Sequence, residues 1–334
     1  MNILAIESSC DETACSIVEN GVHEIASMLA TSRELHEKTG GIVPEVAARK
    51  QVDFILPVIS ETLKKAKMSK DDIDALAVTV GPGLIGSLLV GVEAAKALSL
   101  AWEKPLIPVN HLVGHIYANF VDNPVAVEFP ALVLIVSGGH TDLVLMHSHG
   151  NLEYLGGTVD DAAGEAFDKT ARLLGISPYL GGVLLSNLAA TCSENTIKGL
   201  LPRPMLHEDN YDFSFSGLKT AVKRLVETSQ HPIEVISKEF EEAVVEVLVS
   251  KTIRAAQEKN VKSILLGGGV AANTSLRRAL EIKAQEIGVT LHIPRLDLCT
   301  DNAIYIASAA FFNQIYKPLA EIQANPSLSI DSEL

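Results

Sequence analysis

The chain has 334 residues, of which 47% are hydrophobic and 20% are charged. This composition can bury a large core, and it excludes a mostly disordered chain. The 27 Lys and Arg residues against 41 Asp and Glu residues give a net charge of −14, which disfavours a general electrostatic grip on nucleic acid or anionic lipid.

The first half of the chain opens with a predicted meander of three strands. The apolar segments that predict them are residues 2–7, 14–18 and 23–29, with a polar turn at 8–13 and an Asn-Gly turn at 20–21. Further on, a strand at 75–80 precedes Gly81-Pro82-Gly83 and a helix over 85–100.

The second half repeats this order. Three strands are predicted at 131–136, 143–146 and 152–155, and the first two are separated by a tight polar turn, Ser137-Gly138-Gly139-His140-Thr141. A strand at 263–266 then precedes a glycine-rich turn at 267–269 and a helix over 273–287. A strand that runs through such a turn into a helix brings backbone N–H groups and a helix N-terminus up to a ligand.

The duplicated order predicts an α/β fold with two similar domains and a ligand cleft between them. This arrangement resembles the architecture of actin, sugar kinases and Hsp70, which binds an adenine nucleotide in the cleft. We expect an N-terminal domain over 1–125 and a C-terminal domain over 126–300, with a last helix at about 301–320 that packs back on the first domain.

The N-terminus, the apolar stretch and the cysteines predict a cytoplasmic protein that does not bind a membrane. The N-terminus lacks a basic region followed by an apolar run, so we expect no secretion signal. The apolar stretch 76–102 is interrupted by Gly81, Pro82, Gly83, Glu93 and Lys96, which favours a buried strand, turn and helix over a membrane span. The four cysteines form no CxxC motif and are expected to be reduced: Cys10, Cys15, Cys192 and Cys299.

His111 and His115 are four residues apart, so on a helix they share one face and could chelate one metal ion. The alternative is two ordinary buried histidines near a cleft. A zinc protease of the HExxH class is disfavoured, because that motif needs Glu directly after the first His and this chain has Leu112.

Other polar segments allow a functional and a structural interpretation. The turn at 137–141 suits a phosphate or an acyl oxyanion, or it is a plain hairpin turn. Asp168 is a candidate for binding ribose hydroxyls, or an ordinary surface acid; Asp301 is a distant metal ligand, or part of a helix cap. Four basic residues suggest an RNA-facing patch or a solvated helix face: Arg203, Lys219, Lys223 and Arg224.

Taken together, the motifs resemble the bacterial tRNA N6-adenosine threonylcarbamoyltransferase family (TsaD type), formerly labelled O-sialoglycoprotein endopeptidase. They follow the family order over nearly the whole chain. The matching stretches are IESSCDET at 6–13, GGIVPEVAAR at 40–49, GPGLIGSLLVG at 81–91, HLVGH at 111–115, VSGGHT at 136–141, DDAAGEAFDK at 160–169, PRPM at 202–205, DFSFSGLKT at 212–220, GGGVAAN at 267–273 and CTDNA at 299–303.

The resemblance implies transfer of threonylcarbamoyl from threonylcarbamoyl-AMP to N6 of the adenosine 3′ of the anticodon, in tRNAs that read codons starting with A. It implies one divalent metal ion, Fe²⁺ or alternatively Zn²⁺, bound by His111, His115 and Asp301. Asp11 and Glu12 would assist catalysis. The positions that match the adenylate-binding residues are Ile135, Val136, Ser137, Gly138, Gly139, Asp168, Gly182 and Asn273.

The resemblance also implies partners, namely tRNA, a smaller paralogous subunit (TsaB type) and an ATPase (TsaE type). Local departures accompany it. Val113 replaces a glutamate often found between the histidines, so any carboxylate that supports them is absent or comes from elsewhere. Leu180, Val183 and Asn187 replace two prolines and a lysine near Gly182.

Two other functions remain open from the sequence. An ATP-dependent kinase or ATPase of the same fold would hydrolyse ATP or transfer phosphate as the isolated chain, although paired histidines suit a transition metal better than magnesium. A non-catalytic scaffold would bind nucleotide without turnover.

Overall fold

The computed structural model describes residues 1–32, 41–228, 230–332 and 334. These residues form two compact units, one made of residues 1–127 and 294–334 and the other of residues 128–293.

The strands are β1 (Asn2–Glu7), β2 (Glu12–Glu19), β3 (His23–Thr31), β4 (Ala75–Gly81), β5 (Leu106–Asn110), β6 (Ala131–Val136), β7 (Thr141–Ser148), β8 (Asn151–Gly157), β9 (Ser263–Gly267) and β10 (Thr290–His292). The α-helices are α1 (Pro44–Ala66), α2 (Ile85–Trp102), α3 (His111–Tyr117), α4 (Ala163–Leu173), α5 (Gly181–Thr191), α6 (Ser216–Thr228), α7 (Ile233–Glu258), α8 (Thr274–Glu286) and α9 (Ile304–Asn313).

The first unit contains a five-stranded mixed sheet in the order β3-β2-β1-β4-β5. The meander β1–β2–β3 is antiparallel, whereas β4 runs parallel to both β1 and β5. Every residue of β4 and β5 is buried, as expected for parallel strands that are covered on both faces. The helices α1 and α2 pack on this sheet, and α9 packs on α3, β1 and β2.

The second unit has the same topology. Its sheet has the order β10-β9-β6-β7-β8, with an antiparallel meander β6–β7–β8 and parallel pairs β6–β9 and β9–β10. The helices α5, α6 and α8 pack against α7. The predicted α/β fold with a duplicated plan is therefore confirmed.

The last helix is shorter than predicted. It runs from Ile304 to Asn313, not over 301–320. It begins late because the side-chain oxygen of Asn302, one residue before the cap position at Ala303, accepts hydrogen bonds from the N–H groups of Ile304 and Tyr305 and so satisfies donors that have no partner within the helix. It ends because Gln314 adopts a left-handed conformation with φ of 38°.

The helix α2 is long and apolar enough, by length and composition, to cross a membrane, and one third of it is buried. The core helix of a soluble protein meets the same criterion. Its buried face includes Leu88, Val92 and Ala95, each fully enclosed within the unit. The contacts of α2 with α1, β1, β4 and β5 make it a core helix of this sheet, as the sequence predicts.

Candidate functional site

The short helix α3 presents the two paired histidines. Strand β5 ends at Asn110, whose side-chain oxygen accepts a hydrogen bond from the N–H of Leu112 at 2.9 Å and so caps the helix. His111 is therefore the first residue of α3 and His115 lies one turn later on the same face. Both are buried, and their ring centroids are 4.7 Å apart.

Asp301 completes this cluster from the segment that precedes α9. Its Oδ1 lies 3.4 Å from Nε2 of His111 and 3.7 Å from Nε2 of His115, and the three candidate ligand atoms all lie within 4.8 Å of one another. In a tetrahedral site with bonds of about 2.0–2.1 Å, ligand atoms lie roughly 3.4 Å apart. The group can thus hold one metal ion, and three protein ligands leave coordination positions for a substrate.

The charges in the cluster favour an ionised carboxylate beside the imidazoles. Burial acts to raise the pKa of Asp301, but the neighbouring His111 and, less strongly, His115 hold that pKa at about 2. Burial likewise acts to lower the pKa of His111, yet Glu7 and Asp301 keep that pKa well above its ordinary value. A divalent cation can bind between such a carboxylate and a buried imidazole, where it takes the place of a proton.

Gly114 allows α3 and α9 to approach closely enough to form the cluster. A Cβ at this position would lie 2.7 Å from side-chain atoms of both Tyr305 and Ile306. The Tyr305 ring packs against the histidines, with its centroid 4.8 Å from that of His115 and 6.1 Å from that of His111. The glycine of HLVGH therefore has a packing role.

Glu7, at the end of β1, is a member of this site that the sequence did not single out. Its side chain is fully buried. One carboxylate oxygen accepts from the N–H of Ser9 at 2.5 Å, and the other accepts from the Thr79 hydroxyl at 2.5 Å and lies 3.1 Å from Nδ1 of His111. The available signal was a carboxylate that ends an otherwise apolar strand.

Asp11 and Glu12 lie in the same unit, at the turn between β1 and β2. The backbone oxygen of Asp11 accepts from the N–H and hydroxyl of Ser32, and that of Glu12 accepts from the side chain of Gln51 at 2.9 Å. Burial raises the pKa of the Cys10 thiol, and the negative charges of Asp301, Asp11 and Glu12 raise it further. Asp11, Glu12 and Asp301 thus all lie close enough to the Cys10 thiol to act on its pKa.

In the second unit, the turn after β6 lies against a helix N-terminus. The Ser137 hydroxyl accepts from the N–H groups of Gly139 and His140. Gly164, in the first turn of α4, donates its N–H to the Ser137 carbonyl, and a Cβ on Gly164 would lie 2.5 Å from that oxygen. Ile135 and Val136 are fully buried strand residues that hold the turn in place.

Asp168 and Gly182 are brought together directly. The Gly182 N–H donates to Oδ1 of Asp168 at 2.8 Å. Burial raises the pKa of Asp168, and the Gly182 hydrogen bond opposes this rise. Just before this point Leu180 has φ of 47°, a conformation that a proline, with φ near −65°, could not adopt. The loop therefore differs locally from one that has Pro at this position.

Asn273 caps α8, and both the oxygen and the nitrogen of its side-chain amide form hydrogen bonds. Its Oδ1 accepts from the N–H of Leu276 at 2.8 Å, and its Nδ2 donates to Ser186 at 3.0 Å and to Glu241 at 2.8 Å. Glu241 is buried and also accepts from Ser275 at 2.8 Å. Glu241 and Ser186 are further residues that sequence analysis missed, because helix α7 and helix α5 reach Asn273 only in the folded unit.

Arg203 does not belong to an RNA-facing patch. Its side chain is 12% exposed and forms ion pairs with the buried Glu239 at 2.5 Å and with Glu246 at 2.9 Å. These pairs hold the loop around Arg203 against α7, which makes the arginine a structural residue. The hypothesis of an RNA-facing patch is wrong for this residue.

The comparisons with known proteins identify the family of the chain. The family model of TsaD, tRNA N6-adenosine threonylcarbamoyltransferase, matches residues 23–308. The protein of that name from Bacillus subtilis (strain 168) is 50% identical over 340 residues, which covers 99% of this chain and 96% of the relative.

Solved structures resemble the chain at lower identity, and they show the fold alone. T. kodakarensis HypF superimposes with a TM-score of 0.65 at 14% identity, over 93% of this chain and 47% of that one. Component A of the (R)-2-hydroxyglutaryl-CoA dehydratase of Acidaminococcus fermentans gives 0.53 at 19%, over 96% and 100%. These structures support the actin-like α/β fold. The length and identity of the sequence matches confirm the resemblance found from the motifs: the chain belongs to the tRNA N6-adenosine threonylcarbamoyltransferase family.

Proposed function

We propose that the protein transfers the threonylcarbamoyl group from threonylcarbamoyl-AMP to N6 of the adenosine 3′ of the anticodon, in tRNAs that read codons starting with A. The observation that carries the proposal is the convergence of His111, His115 and Asp301 in a chain that matches this family over nearly its full length. The N6 amine attacks the carbamoyl carbon, the bond from that carbon to the phosphate oxygen breaks, and AMP and one proton leave.

The protein's task in this reaction is orientation. Because the donor is a mixed anhydride, AMP is already a good leaving group and no protein nucleophile is needed. His111, His115 and Asp301 would hold a divalent ion, which would supply Lewis-acid polarisation of the carbamoyl carbonyl oxygen. The exocyclic amine is weakly basic, so positioning it contributes more than deprotonating it. We assign Asp11 and Glu12 an assisting role at this step.

Fe²⁺ is our proposal for the resident ion, with Zn²⁺ as the alternative. Two imidazoles and one carboxylate, with open positions, are the ligand set typical of non-haem Fe²⁺. Zinc accepts the same ligands, so the metal content of protein purified without added metal decides between the two.

We propose that the second unit binds the adenylate. The N–H groups of Ser137 and Gly139 are engaged within the turn, so the Gly138 N–H is the donor we assign to the acyl–phosphate junction. One Asp168 oxygen accepts a hydrogen bond from the Gly182 N–H, so we assign the other oxygen to the ribose hydroxyls. The Nδ2 group of Asn273 donates to Ser186 and Glu241. Its Oδ1 accepts from Leu276, so we assign the second lone pair of Oδ1 to the adenosine. Ile135 and Val136 contribute through the backbone of the strand end.

Protein partners complete the proposal. With a net charge of −14, the chain is poorly suited to grip tRNA alone, and we propose that it binds tRNA together with a paralogous TsaB-type subunit and a TsaE-type ATPase. The helices α1 and α2 expose an apolar surface that suits such a subunit. Its exposed residues are Val46, Val52, Leu56, Ile85, Leu89 and Leu100.

The remaining assignments are the location and the domains. We propose a cytoplasmic enzyme, in keeping with a tRNA substrate and with four cysteines that form no CxxC motif. We further propose that the two compact units are the two domains that the duplicated sequence pattern predicts.

A reconstitution tests the function. The protein is mixed with unmodified tRNA, the donor-forming enzyme, threonine, bicarbonate, ATP and the accessory subunits, and the nucleosides are analysed by mass spectrometry. We expect threonylcarbamoyladenosine with the wild type and with His147→Ala, an exposed histidine 43% accessible, but not with His111→Ala. ATP hydrolysis by the isolated chain without product would support the kinase or ATPase alternative, and nucleotide binding without turnover the scaffold.

A further inference from the structure

Three features single out the carboxylate of Glu7, which lies beside the metal cluster. Glu7 ends β1, is fully buried, and faces the side of the His111 ring that is remote from Asp301. His111 thus has a carboxylate at each ring nitrogen: Glu7 at 3.1 Å from Nδ1 and Asp301 at 3.4 Å from Nε2.

We propose that Glu7 is a positioning residue that fixes the tautomer and orientation of His111 for metal binding. A carboxylate oxygen accepts hydrogen bonds, and Oε2 of Glu7, at 3.1 Å, lies closer to Nδ1 of His111 than the Ser9 hydroxyl does at 3.3 Å. We therefore assign the hydrogen on Nδ1 to the bond that faces Glu7. The lone pair of Nε2 is then directed at the centre of the cluster. Carboxylate partners of this kind set ligand orientation in many metal sites, and their loss typically weakens metal binding about 10–100-fold.

Glu7 is itself held in place by donors only. The Ser9 N–H donates to Oε1 and the Thr79 hydroxyl donates to Oε2. Thr79 reaches Glu7 because β4 runs parallel to β1, with Ile6 opposite Val78. Since both of these groups donate, each carboxylate oxygen of Glu7 meets a donor, an arrangement that an amide, with only one acceptor oxygen, cannot reproduce.

In this environment, Glu7→Gln directly tests the positioning role of Glu7. A glutamine has one acceptor oxygen and an NH₂ group, so the NH₂ must face a donor or make His111 Nδ1 an acceptor. In the second case the hydrogen moves to Nε2, which can no longer bind a metal. The inference also accounts for Val113, because the carboxylate missing from the histidine motif is provided by β1.

The inference rests on the proposed metal centre and is measured without transfer activity. Purified protein is stripped of metal and titrated with Zn²⁺ alone against a chromophoric chelator. We expect Glu7→Gln to bind Zn²⁺ about 10–100-fold more weakly than the wild type, and Thr79→Val to show a smaller loss in the same direction. Glu19→Gln, an exposed glutamate at the end of β2 in the same sheet, is the control that should bind as the wild type does.

A second readout reports the tautomer. In ¹⁵N-histidine NMR spectra of the Zn²⁺-loaded wild type, we expect a deshielded His111 Nδ1–H that is protected from exchange, and its loss in Glu7→Gln. Equal affinities and an unchanged signal in Glu7→Gln would overturn the inference. If Glu7→Gln does not fold, an unchanged affinity in folded Thr79→Val overturns it. A wild type that binds no Zn²⁺ would refute the metal centre, whereas metal binding without transfer would refute only the proposed function.

Discussion

Gly114 illustrates at the scale of a single residue how packing and chemistry are linked in this protein. We predict that Gly114→Ala destabilises the fold, because its Cβ would overlap Tyr305 and Ile306 at a cost of about 1–3 kcal/mol. The gain of about 1 kcal/mol expected for alanine in a helix offsets part of this cost and leaves a net loss of up to about 2 kcal/mol. Thermal unfolding should show a loss of stability, and Zn²⁺ titration should show a loss of affinity.

The matched control is Gly217→Ala, where a Cβ meets nothing within 4 Å among the described residues. This variant should be at least as stable as the wild type. Equal stability of both variants would contradict the close approach of α3 and α9.

Substitution of Glu241 tests the proposal that the second unit binds the adenylate. We predict that Glu241→Ala raises the KM for threonylcarbamoyl-AMP roughly tenfold while changing kcat less, because the loss of a charged hydrogen bond of about 1.5–3 kcal/mol leaves Asn273 poorly oriented. Glu281→Ala, an exposed glutamate on α8, should leave the KM unchanged. Steady-state kinetics with purified donor measures both, and an unaltered KM for Glu241→Ala would remove Asn273 from the adenylate site.

At the scale of an element, α6 depends on a cap from a distant segment. Asp160 accepts hydrogen bonds from the hydroxyls of Ser214 and Ser216 and from the N–H groups of Phe215 and Ser216. Partial burial acts to raise the pKa of Asp160, but these bonds lower it from 3.8 to about 2. The carboxylate therefore stabilises the fold above its unfolded pKa and loses this contribution as the pH falls through its folded pKa.

We predict that Asp160→Asn costs about 1 kcal/mol near neutral pH, the usual cost of losing a helix cap. The difference from the wild type should narrow below about pH 4 and close near pH 2. Thermal unfolding over this range measures it, with the exposed Asp209→Asn as the control. A difference that is independent of pH would show that the ionised form of Asp160 does not matter.

The elements also show what the sequence could predict. Strands β1 and β6 were predicted with their observed bounds, because each is a short apolar run that ends at a polar turn. Helix α1 was not predicted, since it contains Pro57 and buries only six of its 23 residues. Strand β5 was not predicted either, because it is short and contains Pro108.

For the site, motif resemblance identified the three metal-ligand candidates but could not find Glu7. Its partner His111 lies 104 residues away, and only the parallel pairing of β1, β4 and β5 brings them together. Glu241 was out of reach for the same reason. Contacts made by buried carboxylates across a sheet or between helices leave no local pattern.

At the scale of the whole molecule, the apolar surface of α1 and α2 tests the assembly. Val52 and Leu56 are 61% and 65% exposed and lie one turn apart on α1. We predict that Leu56→Asp weakens association with the paralogous subunit at least tenfold, because it places a charge in the apolar surface that we assign to this contact. Ile282→Asp, at an exposed residue of α8, is the control, and analytical ultracentrifugation of the mixed subunits measures both.

If Leu56→Asp assembles as the wild type does, the docking surface lies elsewhere. Equal losses in both variants would mean that any added negative charge weakens association. Only a loss confined to α1 supports the assigned surface.

The most direct test of the central claim measures bound metal and group transfer in the same preparations. Samples of the assembled enzyme with metal contents from zero to one ion per chain receive purified donor labelled in the threonyl group, together with unmodified tRNA. The account predicts that label transferred to tRNA rises in proportion to bound metal, with one AMP released per label, and that Asp301→Ala stays near zero in both. Full transfer by demonstrably metal-free protein would contradict it.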